Sequence, residues 1–415
     1  MTNESYLSKL SSLNLNNISL YLKYGIISFP NLKIKKGKKE KLKKIKDINF
    51  NKNSYTDVLS CLSKLIDKQI KKSKKTNEKI ILFLSSGVDS RLLYYIIFNL
   101  CKTNKYLDSF YTVTGNIKNY KNKYSEYEVL KKNFKQKIHN HKAVNIIYKN
   151  LEDEILESCN INQQPINGLP IITMKKLFNY CSKNFKKKVV ITGIGDPIFF
   201  NANIKIIKKL KKNKSLQYAS DGIVYKSNKF LSKKYNQISN KIFKNLKFEN
   251  LFKTKNIYHD FVLKQYFYLK GPKVKNEVKN LSKHYNVKTF SPFCANQLHK
   301  KILGLPVNLL FNGTPKSFIN ETLKILEGSY PKQGLKMNSP QREFIFEKYK
   351  KNIVKIIKNS NLEKLDIVDS NKIYKLYLTQ EKEYFKKKNK KIFKNFSSYE
   401  IWKFISTELF LRSLK

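Results

Sequence analysis

The chain has 415 residues, of which 41% are hydrophobic, and a formal net charge of +54 at pH 7. That hydrophobic share can fill one large core or two smaller ones, which excludes a disordered or fibrous protein. No run approaches the roughly 20 apolar residues of a membrane span, and the first residues, MTNESYLSKL, lack the basic and apolar segments of a leader. We therefore expect a globular, cytoplasmic protein with no membrane span.

The excess of basic residues comes almost entirely from lysine. Only three of the 84 basic residues are arginines, namely Arg91, Arg342 and Arg412. Nucleic-acid surfaces usually exploit the bidentate geometry of arginine, whereas a chain-wide excess of lysine, asparagine and isoleucine is typical of an AT-rich coding sequence. We interpret the charge mainly as solvated lysines, and nucleic acid stays an alternative partner. The densest basic runs, where a polyanion would bind, are residues 33–46 and 385–394.

The cysteines and histidines argue against two common kinds of site. The five cysteines are odd in number and form no C-x-x-C pair, which disfavours a disulfide framework and structural zinc. The five histidines are scattered, apart from His139 and His141. We therefore expect free thiols and no histidine-based metal site or nucleophile.

Short apolar runs alternate with helical patterns through the first half of the chain. The strand-like runs are residues 80–84, 109–115, 143–148 and 188–193, and the helical stretches lie near residues 124–136, 150–158 and 171–184. This alternation predicts right-handed crossovers and a doubly wound parallel sheet, which makes the fold class α/β. Beyond about residue 205 the pattern becomes helical and lysine-rich, apart from a short TFSPF segment near residue 290.

The turn after the first strand-like run carries most of the functional information. Residues 80–100 read IILFLSSGVDSRLLYYIIFNL, a buried strand followed by an amphipathic helix. The N-terminus of a helix offers unpaired N–H groups and positive partial charge, which bind anions. The turn adds serine hydroxyls, a glycine that allows close approach of the backbone, and an aspartate that can hold magnesium. These residues are Ser85, Ser86, Gly87, Asp89 and Ser90.

The S-x-G-x-D-S pattern after a strand is typical of the pyrophosphate loop of ATP pyrophosphatases, which split ATP between the α and β phosphates. It is not a Walker loop, because the Gly-Lys-Ser/Thr sequence is missing. A serine-rich turn that merely caps the helix is the alternative interpretation. The run that ends near Gly193 should bring a second segment to the same edge, since parallel sheets bind ligands at the carboxyl ends of their strands.

Five segments follow one another in an order known from one enzyme family. They are SSGVDSR (residues 85–91), KVVITGIGDPIFF (188–200), VKTFSPFCANQLHKKILGLP (287–306), TPKSFIN (314–320) and YPKQGL (330–335). In order and spacing they resemble motifs of the synthetase domain of the asparagine synthetase family, which includes β-lactam synthetases and lasso-peptide cyclases. The resemblance covers roughly residues 20–345 and implies a sheet of the adenine-nucleotide α-hydrolase type.

In this family the synthetase domain adenylates a carboxylate with ATP and magnesium, releases pyrophosphate and lets an amine attack the acyl-adenylate. The resemblance therefore implies ATP and Mg2+ as cofactors, and a carboxylate with an amine or ammonia donor as substrates. It places pyrophosphate and magnesium at Ser85, Ser86, Gly87, Asp89 and Ser90. It places AMP at Phe83, Val113, Thr192 and Gly193, largely through backbone groups.

The resemblance implies two further site residues. Asp196 would be the second magnesium carboxylate, because acidic residues at the ends of different strands can bridge a metal to the triphosphate. Lys332 would stabilise negative charge during acyl transfer and, with Asp89, would make up the catalytic residues. Lys336 is a rival for the position of Lys332 in this lysine-rich chain.

The chain departs from the family pattern at several positions. Thr2 follows the initiator methionine where glutamine-using members carry a catalytic cysteine, so we expect no glutaminase domain. Ser86 replaces a loop glycine. Ile194 replaces a Glu or Tyr that is tied to activating the nucleophile. The other departures are Pro197, where a second acid is expected, and Ala295, where the family has Asp.

We therefore predict an ATP-dependent, AMP-forming amide ligase or amidotransferase of asparagine synthetase type, without its own glutaminase. Two alternatives stay open: a tRNA-modifying ATP pyrophosphatase, and a degenerate, non-catalytic binding subunit. The predicted segments are an N-terminal remnant with a lead-in helix (residues 1–75), a nucleotide-binding α/β core (76–205), the helical remainder of the synthetase domain (206–345) and a lysine-rich helical extension (346–415).

Overall fold

The computed structural model describes residues 15–24, 53–118, 125–134, 137–194, 230–245, 271–310, 316–328, 331, 338–389 and 398–414. Within them, one sheet contains β1 (Lys79–Phe83), β2 (Phe110–Ile117), β3 (His141–Ile146), β4 (Lys188–Thr192) and β5 (Lys288–Phe290).

Helices surround this sheet. In the first half of the chain they are α1 (Leu15–Tyr24), α2 (Tyr55–Lys75), α3 (Val88–Thr103), α4 (Glu126–Asn133), α5 (Leu151–Asn162) and α6 (Leu169–Asn184). In the second half they are α7 (Lys233–Asn245), α8 (Gly271–His284), α9 (Asn296–Leu303), α10 (Val307–Leu310), α11 (Ser317–Glu327), α12 (Asn338–Glu343), α13 (Lys350–Lys358), α14 (Asn361–Lys364), α15 (Ser370–Asn389) and α16 (Tyr399–Ser413). Short 3-10 turns lie at Leu107–Ser109 and Pro292–Cys294, and a π-helical turn lies at Phe344–Lys348.

The strand order is β3-β2-β1-β4-β5, and every neighbouring pair is parallel. The chain builds β2 and β3 on one side of β1 and then crosses to the other side for β4 and β5. The register places Phe83 of β1 between Val113 of β2 and Thr192 of β4. At such a reversal, open α/β sheets bind ligands in the crevice outside the carboxyl ends of the strands, which here are those of β1 and β4.

The two faces of the sheet are covered by two apolar cores. Ile81 and Phe83 of β1 pack in one core with α1, α5, α6, α13 and α16, whereas Ile80 and Leu82 pack in the other with α2, α3, α9 and α11. Successive side chains of a strand point to opposite faces, so a strand that is buried on both faces must be apolar throughout. The predicted α/β class and parallel sheet with helices on both faces are therefore confirmed.

The predicted strands and helices of the first half occur within a few residues of their predicted bounds. The TFSPF segment contributes β5, which pairs with β4. The lead-in helix is α2, whose first turn has a capping box formed by Ser54 and Asp57.

The last helix is buried in the same core as α5 and α6. Residues 401–411 of α16 are all buried. Trp402 donates its Nε1–H to the carbonyl oxygen of Ile166 at 3.1 Å, and the Ser406 hydroxyl accepts the N–H of Ile166 at 2.7 Å. The lysine-rich C-terminal segment thus ends in a core helix, and the division of the chain into four segments stays a prediction.

In the described ranges, no helix is both long and apolar enough to cross a membrane. All five cysteines lie in those ranges and are free thiols, as predicted. The basic run of residues 33–46 and the last part of the second run, residues 390–394, lie outside the described residues.

Candidate functional site

The loop between β1 and α3 lies at the crevice beside β4. The residue that follows β1, Leu84, donates its N–H to the carbonyl oxygen of Val113 at 2.9 Å. Its own carbonyl oxygen accepts the hydroxyl of Thr114 at 2.6 Å. These two bonds tie the end of β1 to β2 and fix the point at which the chain leaves the sheet. The loop then turns, and α3 begins at Val88.

The loop serines bond to the loop itself. The Ser90 hydroxyl oxygen accepts the N–H of Ser85 at 3.0 Å and lies 3.0 Å and 3.2 Å from the carbonyl oxygens of Ser85 and Gly87. The Ser85 hydroxyl accepts the N–H of Gly87 at 3.2 Å. In the described residues, no side chain caps α3. The serines thus stabilise the loop rather than cap α3, and N–H groups at the start of the helix can meet an anion.

There is little space beside Gly87 in the turn. Gly87 has φ −70° and ψ 147°, angles that any residue adopts. A Cβ at this position would lie 3.2 Å from the Ser85 hydroxyl oxygen. Ser86, which replaces a family glycine, is buried and is not among the residues with positive φ. This replacement therefore introduces no backbone strain.

Asp89 lies in the first turn of α3, and its side chain is 19% exposed. Its Oδ2 forms an ion pair with the ammonium group of Lys316, the residue that precedes α11. Its Oδ1 is buried and has no hydrogen-bond partner among the described residues. Burial raises the pKa of Asp89, and the charge of Lys316 opposes that rise. Because an uncompensated buried oxygen costs free energy, Oδ1 offers a position for a cation or a donor.

Sequence reasoning missed Lys316 as a member of this site. Lys316 lies 227 residues after Asp89 in the sequence and adopts the left-handed region, with φ 60°. In a chain with this many lysines, neither composition nor periodicity singles it out. The one available signal is the resemblance of TPKSFIN to a family motif, and that resemblance implies no role for Lys316.

The end of β4 contacts the loop from the other side of the crevice. A Cβ on Gly193 would lie 3.3 Å from the backbone nitrogen of Ser90 and 3.4 Å from its Cα. The structure therefore brings these two predicted site residues together, and the absence of a side chain at Gly193 allows the two backbones to lie this close. Thr192 is buried, and its hydroxyl lies 2.7 Å from that of Ser291, which follows β5.

Phe83 and Val113, the residues predicted to hold AMP, lie side by side on β1 and β2. Both side chains are buried, and the Phe83 ring meets the ring of Phe178 edge-on, with the centroids 5.1 Å apart. Their side chains thus belong to the core, so that a ligand would contact their backbone groups. This role stays a prediction.

Glu126, the first residue of α4, is a second group that sequence reasoning missed. Its Oε1 accepts the N–H of Ser86 at 2.6 Å. Its Oε2 is buried and lacks a hydrogen-bond partner in the described part of the chain. Burial raises the pKa of Glu126, although its bond to Ser86 opposes the rise. A backbone N–H of the loop therefore already holds a carboxylate oxygen.

A second ion pair joins α3 to α11. Arg91 pairs with Glu327, and these side chains are 1% and 8% exposed. The Arg91 guanidinium carbon also lies 5.9 Å from the centre of the Phe134 ring. Because Lys316 precedes α11 and Glu327 ends it, the two ion pairs hold both ends of that helix against α3.

Two of the departures from the family pattern lie on adjoining segments. The thiol of Cys294 donates to the carbonyl oxygen of Ile194 at 3.4 Å, which brings Ile194 close to the segment containing Ala295. The predicted site residues Asp196 and Lys332, together with Pro197 and Lys336, lie outside the described residues. Among the residues that are described, no three His, Cys, Asp or Glu side chains form a metal-binding group.

The arrangement can bind an anion and a cation together. The first turn of α3 and the Lys316 ammonium group attract negative charge, while Oδ1 of Asp89, which lacks a partner among the described residues, suits a hard metal ion. The chain matches no protein-family model and no curated protein. The case for a function therefore rests on this geometry and on the motifs.

Proposed function

We propose that the chain is an ATP-dependent, AMP-forming amide ligase or amidotransferase of asparagine synthetase type, built on an adenine-nucleotide α-hydrolase core. It would adenylate a carboxylate for attack by ammonia or an amine. One observation carries the proposal. Asp89 lies in the first turn of α3, beside the point where the strand order of the parallel sheet reverses. Its Oδ1 is buried and has no hydrogen-bond partner among the described residues, and no described side chain caps the helix.

The charges at the loop support a polyphosphate ligand. The first turn of α3 contributes N–H groups and positive partial charge, and Lys316 contributes a full positive charge next to Asp89. The loop lacks the lysine of a Walker loop, so that a lysine distant in the sequence would supply the corresponding charge. Gly193 lies against Ser90, so a ligand at the loop would also reach the end of β4.

The donor set of Asp89 fits magnesium. Carboxylate oxygen is the ligand that magnesium prefers in proteins, and Oδ1 of Asp89 is without a partner among the described residues. Asp196 is the proposed second carboxylate. When bound, magnesium would offset the charge of the triphosphate and of the departing pyrophosphate. The protein's part is to hold Asp89 in place through Lys316 and through the helix α3.

Acyl transfer makes different demands on the chain. We propose that Lys332 stabilises the negative charge that develops as the amine attacks. Ile194 has a hydrocarbon side chain and cannot accept a proton, so the amine would have to lose its proton to another group. The nitrogen would come from a substrate amine, from free ammonia or from a separate ammonia-supplying partner.

The charge of Asp89 provides the test. Asp89→Asn keeps the shape of the side chain and removes its charge, so we expect magnesium-dependent ATP binding to weaken by on the order of tenfold or more. Isothermal titration calorimetry of the purified chain with ATP and MgCl2 measures this. Asp153→Asn, an exposed change in the first turn of α5, is the matched control and should bind as the unmodified chain does. Equal affinities for all three proteins would remove the basis of the proposal.

A further inference from the structure

Helix α4 contacts the loop at both of its ends. Glu126, its first residue, accepts the N–H of Ser86 at 2.6 Å, and Asn133, its last residue, lies with its side-chain amide 3.4 Å from the Ser86 carbonyl oxygen. Both the N–H and the carbonyl oxygen of Ser86 are thus bonded to side chains of the same helix. A loop N–H that a phosphate oxygen could accept is occupied by an oxygen of the protein itself.

The carboxylate of Glu126 is poorly compensated in this position. Oε1 accepts the N–H of Ser86, and the Ser86 side chain also bonds to the carboxylate, whereas Oε2 is buried without a hydrogen-bond partner in the described residues. The raised pKa of Glu126 has the same cause, which is desolvation of its charge. A negative charge held this close to a loop that binds phosphate repels an incoming polyanion.

We propose that Glu126 is an internal anion that occupies the Ser86 N–H and that a polyphosphate must displace or overcome. Glu126 therefore weakens binding of the polyphosphate, and its repulsion grows with the negative charge of the ligand. This inference rests on the proposed function, because it requires the loop to bind phosphate.

A positioning role for Glu126 makes the opposite prediction. If Glu126 only orients the Ser86 peptide for the ligand, then loss of the side chain should weaken polyphosphate binding. Glutamine keeps an oxygen that can accept the Ser86 N–H, so Glu126→Gln would preserve a positioning role while removing the charge. Glu126→Ala removes both. The two substitutions together separate repulsion from positioning.

The experiment is a titration of the full chain with inorganic pyrophosphate in the presence of MgCl2, measured by calorimetry. We expect Glu126→Gln and Glu126→Ala both to bind pyrophosphate more tightly than the unmodified chain, by on the order of tenfold. Glu128→Gln is the matched control, since Glu128 lies on the same helix in the capping box with Ser125 and glutamine is tolerated in that box. Its affinity should be unchanged.

Each other outcome overturns the inference. Unchanged affinity for both Glu126 variants shows that the carboxylate does not compete with the ligand. Weaker binding by Glu126→Ala with unchanged binding by Glu126→Gln shows a positioning role instead. If the unmodified chain and every variant fail to bind pyrophosphate while retaining their far-ultraviolet circular dichroism, the proposed function itself fails, and the inference fails with it.

Discussion

At the scale of single residues, the ion pair between Asp89 and Lys316 sets the charge balance of the loop. The two side chains are 19% and 29% exposed, so the pair is neither freely solvated nor fully buried. Removal of one partner from such a pair leaves a poorly solvated charge, which costs more free energy than the intact pair contributes. The pair therefore has a measurable effect on stability even in the absence of a ligand.

We expect Lys316→Ala to lower the free energy of unfolding by about 1–3 kcal/mol at pH 7, because Asp89 then keeps its charge without a counter-ion. The double substitution Asp89→Asn with Lys316→Ala should recover most of that loss. Urea denaturation of the four proteins of this double-mutant cycle measures both effects. Lys324→Ala, an exposed change on the same helix, should shift stability by no more than about 0.5 kcal/mol. A loss for Lys316→Ala no larger than that of Lys324→Ala would show that the ion pair is insignificant.

At the scale of elements, α11 packs against α3 and positions Lys316 beside the loop. Its two ends are joined to α3 by the pairs Asp89–Lys316 and Arg91–Glu327. Arg91 is 1% exposed, and the carboxylate of Glu327 pairs with its buried charge. A shift of α11 would therefore move Lys316 away from the loop and leave a buried guanidinium without its carboxylate.

Glu327→Gln should cost about 3–5 kcal/mol of unfolding free energy, since it removes the carboxylate that pairs with the buried charge of Arg91. The double substitution of Arg91 and Glu327 by leucine should be clearly more stable than Glu327→Gln alone, because well-packed apolar groups replace a buried ion pair at little cost. Urea denaturation provides the comparison. Glu321→Gln, on the same helix but partly exposed, is the control. The expectation is wrong if Glu321→Gln and Glu327→Gln lose stability equally.

The local elements of this site were predictable, whereas its tertiary partners were not. The strand β1, the turn and the helix α3 follow from apolar periodicity within residues 80–100, where each signal is local. The pairings of Asp89 with Lys316 and of Ser86 with Glu126 join parts of the chain 227 and 40 residues apart. Such pairings depend on how the helices pack, and the sequence does not distinguish Lys316 from the many other lysines.

The C-terminal region shows the same limit. Helix α16 is buried over nearly its whole surface, although its buried residues include Lys403, Ser406, Thr407 and Glu408. A lysine-rich sequence precedes it, so the segment was predicted to be an extension. Its burial depends on contacts with residues such as Ile166, more than 200 positions earlier. Composition averaged over a segment therefore predicted helix correctly but gave no indication that the last helix belongs to the core.

At the scale of the whole molecule, the buried His299 and the partly buried His141 make stability depend on pH in mild acid. Burial lowers the pKa of His299 and of His141 to about 4, from the ordinary value of 6.5. His299 is 3% exposed, and its Nε2 lies 2.8 Å from the carbonyl oxygen of Phe293, a contact that the neutral ring can make as donor. The unfolded chain thus binds more protons between these two pKa values. The stability that the histidines contribute is complete above pH 6.5 and is lost as the pH falls towards 4.

Between pH 7 and pH 5, protonation of His299 in the unfolded chain should lower the free energy of unfolding by about 1–2 kcal/mol. Asp89 and Glu126 act in the opposite direction, because their raised pKa values make the folded state gain stability as they become protonated. His299→Gln keeps a donor for Phe293 and removes the titration, so its stability should fall less over this interval than that of the unmodified chain. Urea denaturation at several pH values tests this, and parallel pH profiles for the two proteins would contradict it.

The central claim is that the loop directs cleavage of ATP between the α and β phosphates. For the direct measurement, the purified chain is incubated with MgCl2, ATP labelled at the α phosphate, and panels of carboxylates and of amines or ammonium. The labelled nucleotides that form are then separated by chromatography. Our account predicts labelled AMP with an equal amount of pyrophosphate, for at least one combination, and none with Asp89→Asn. Labelled ADP as the product, or no turnover with any combination, would contradict it.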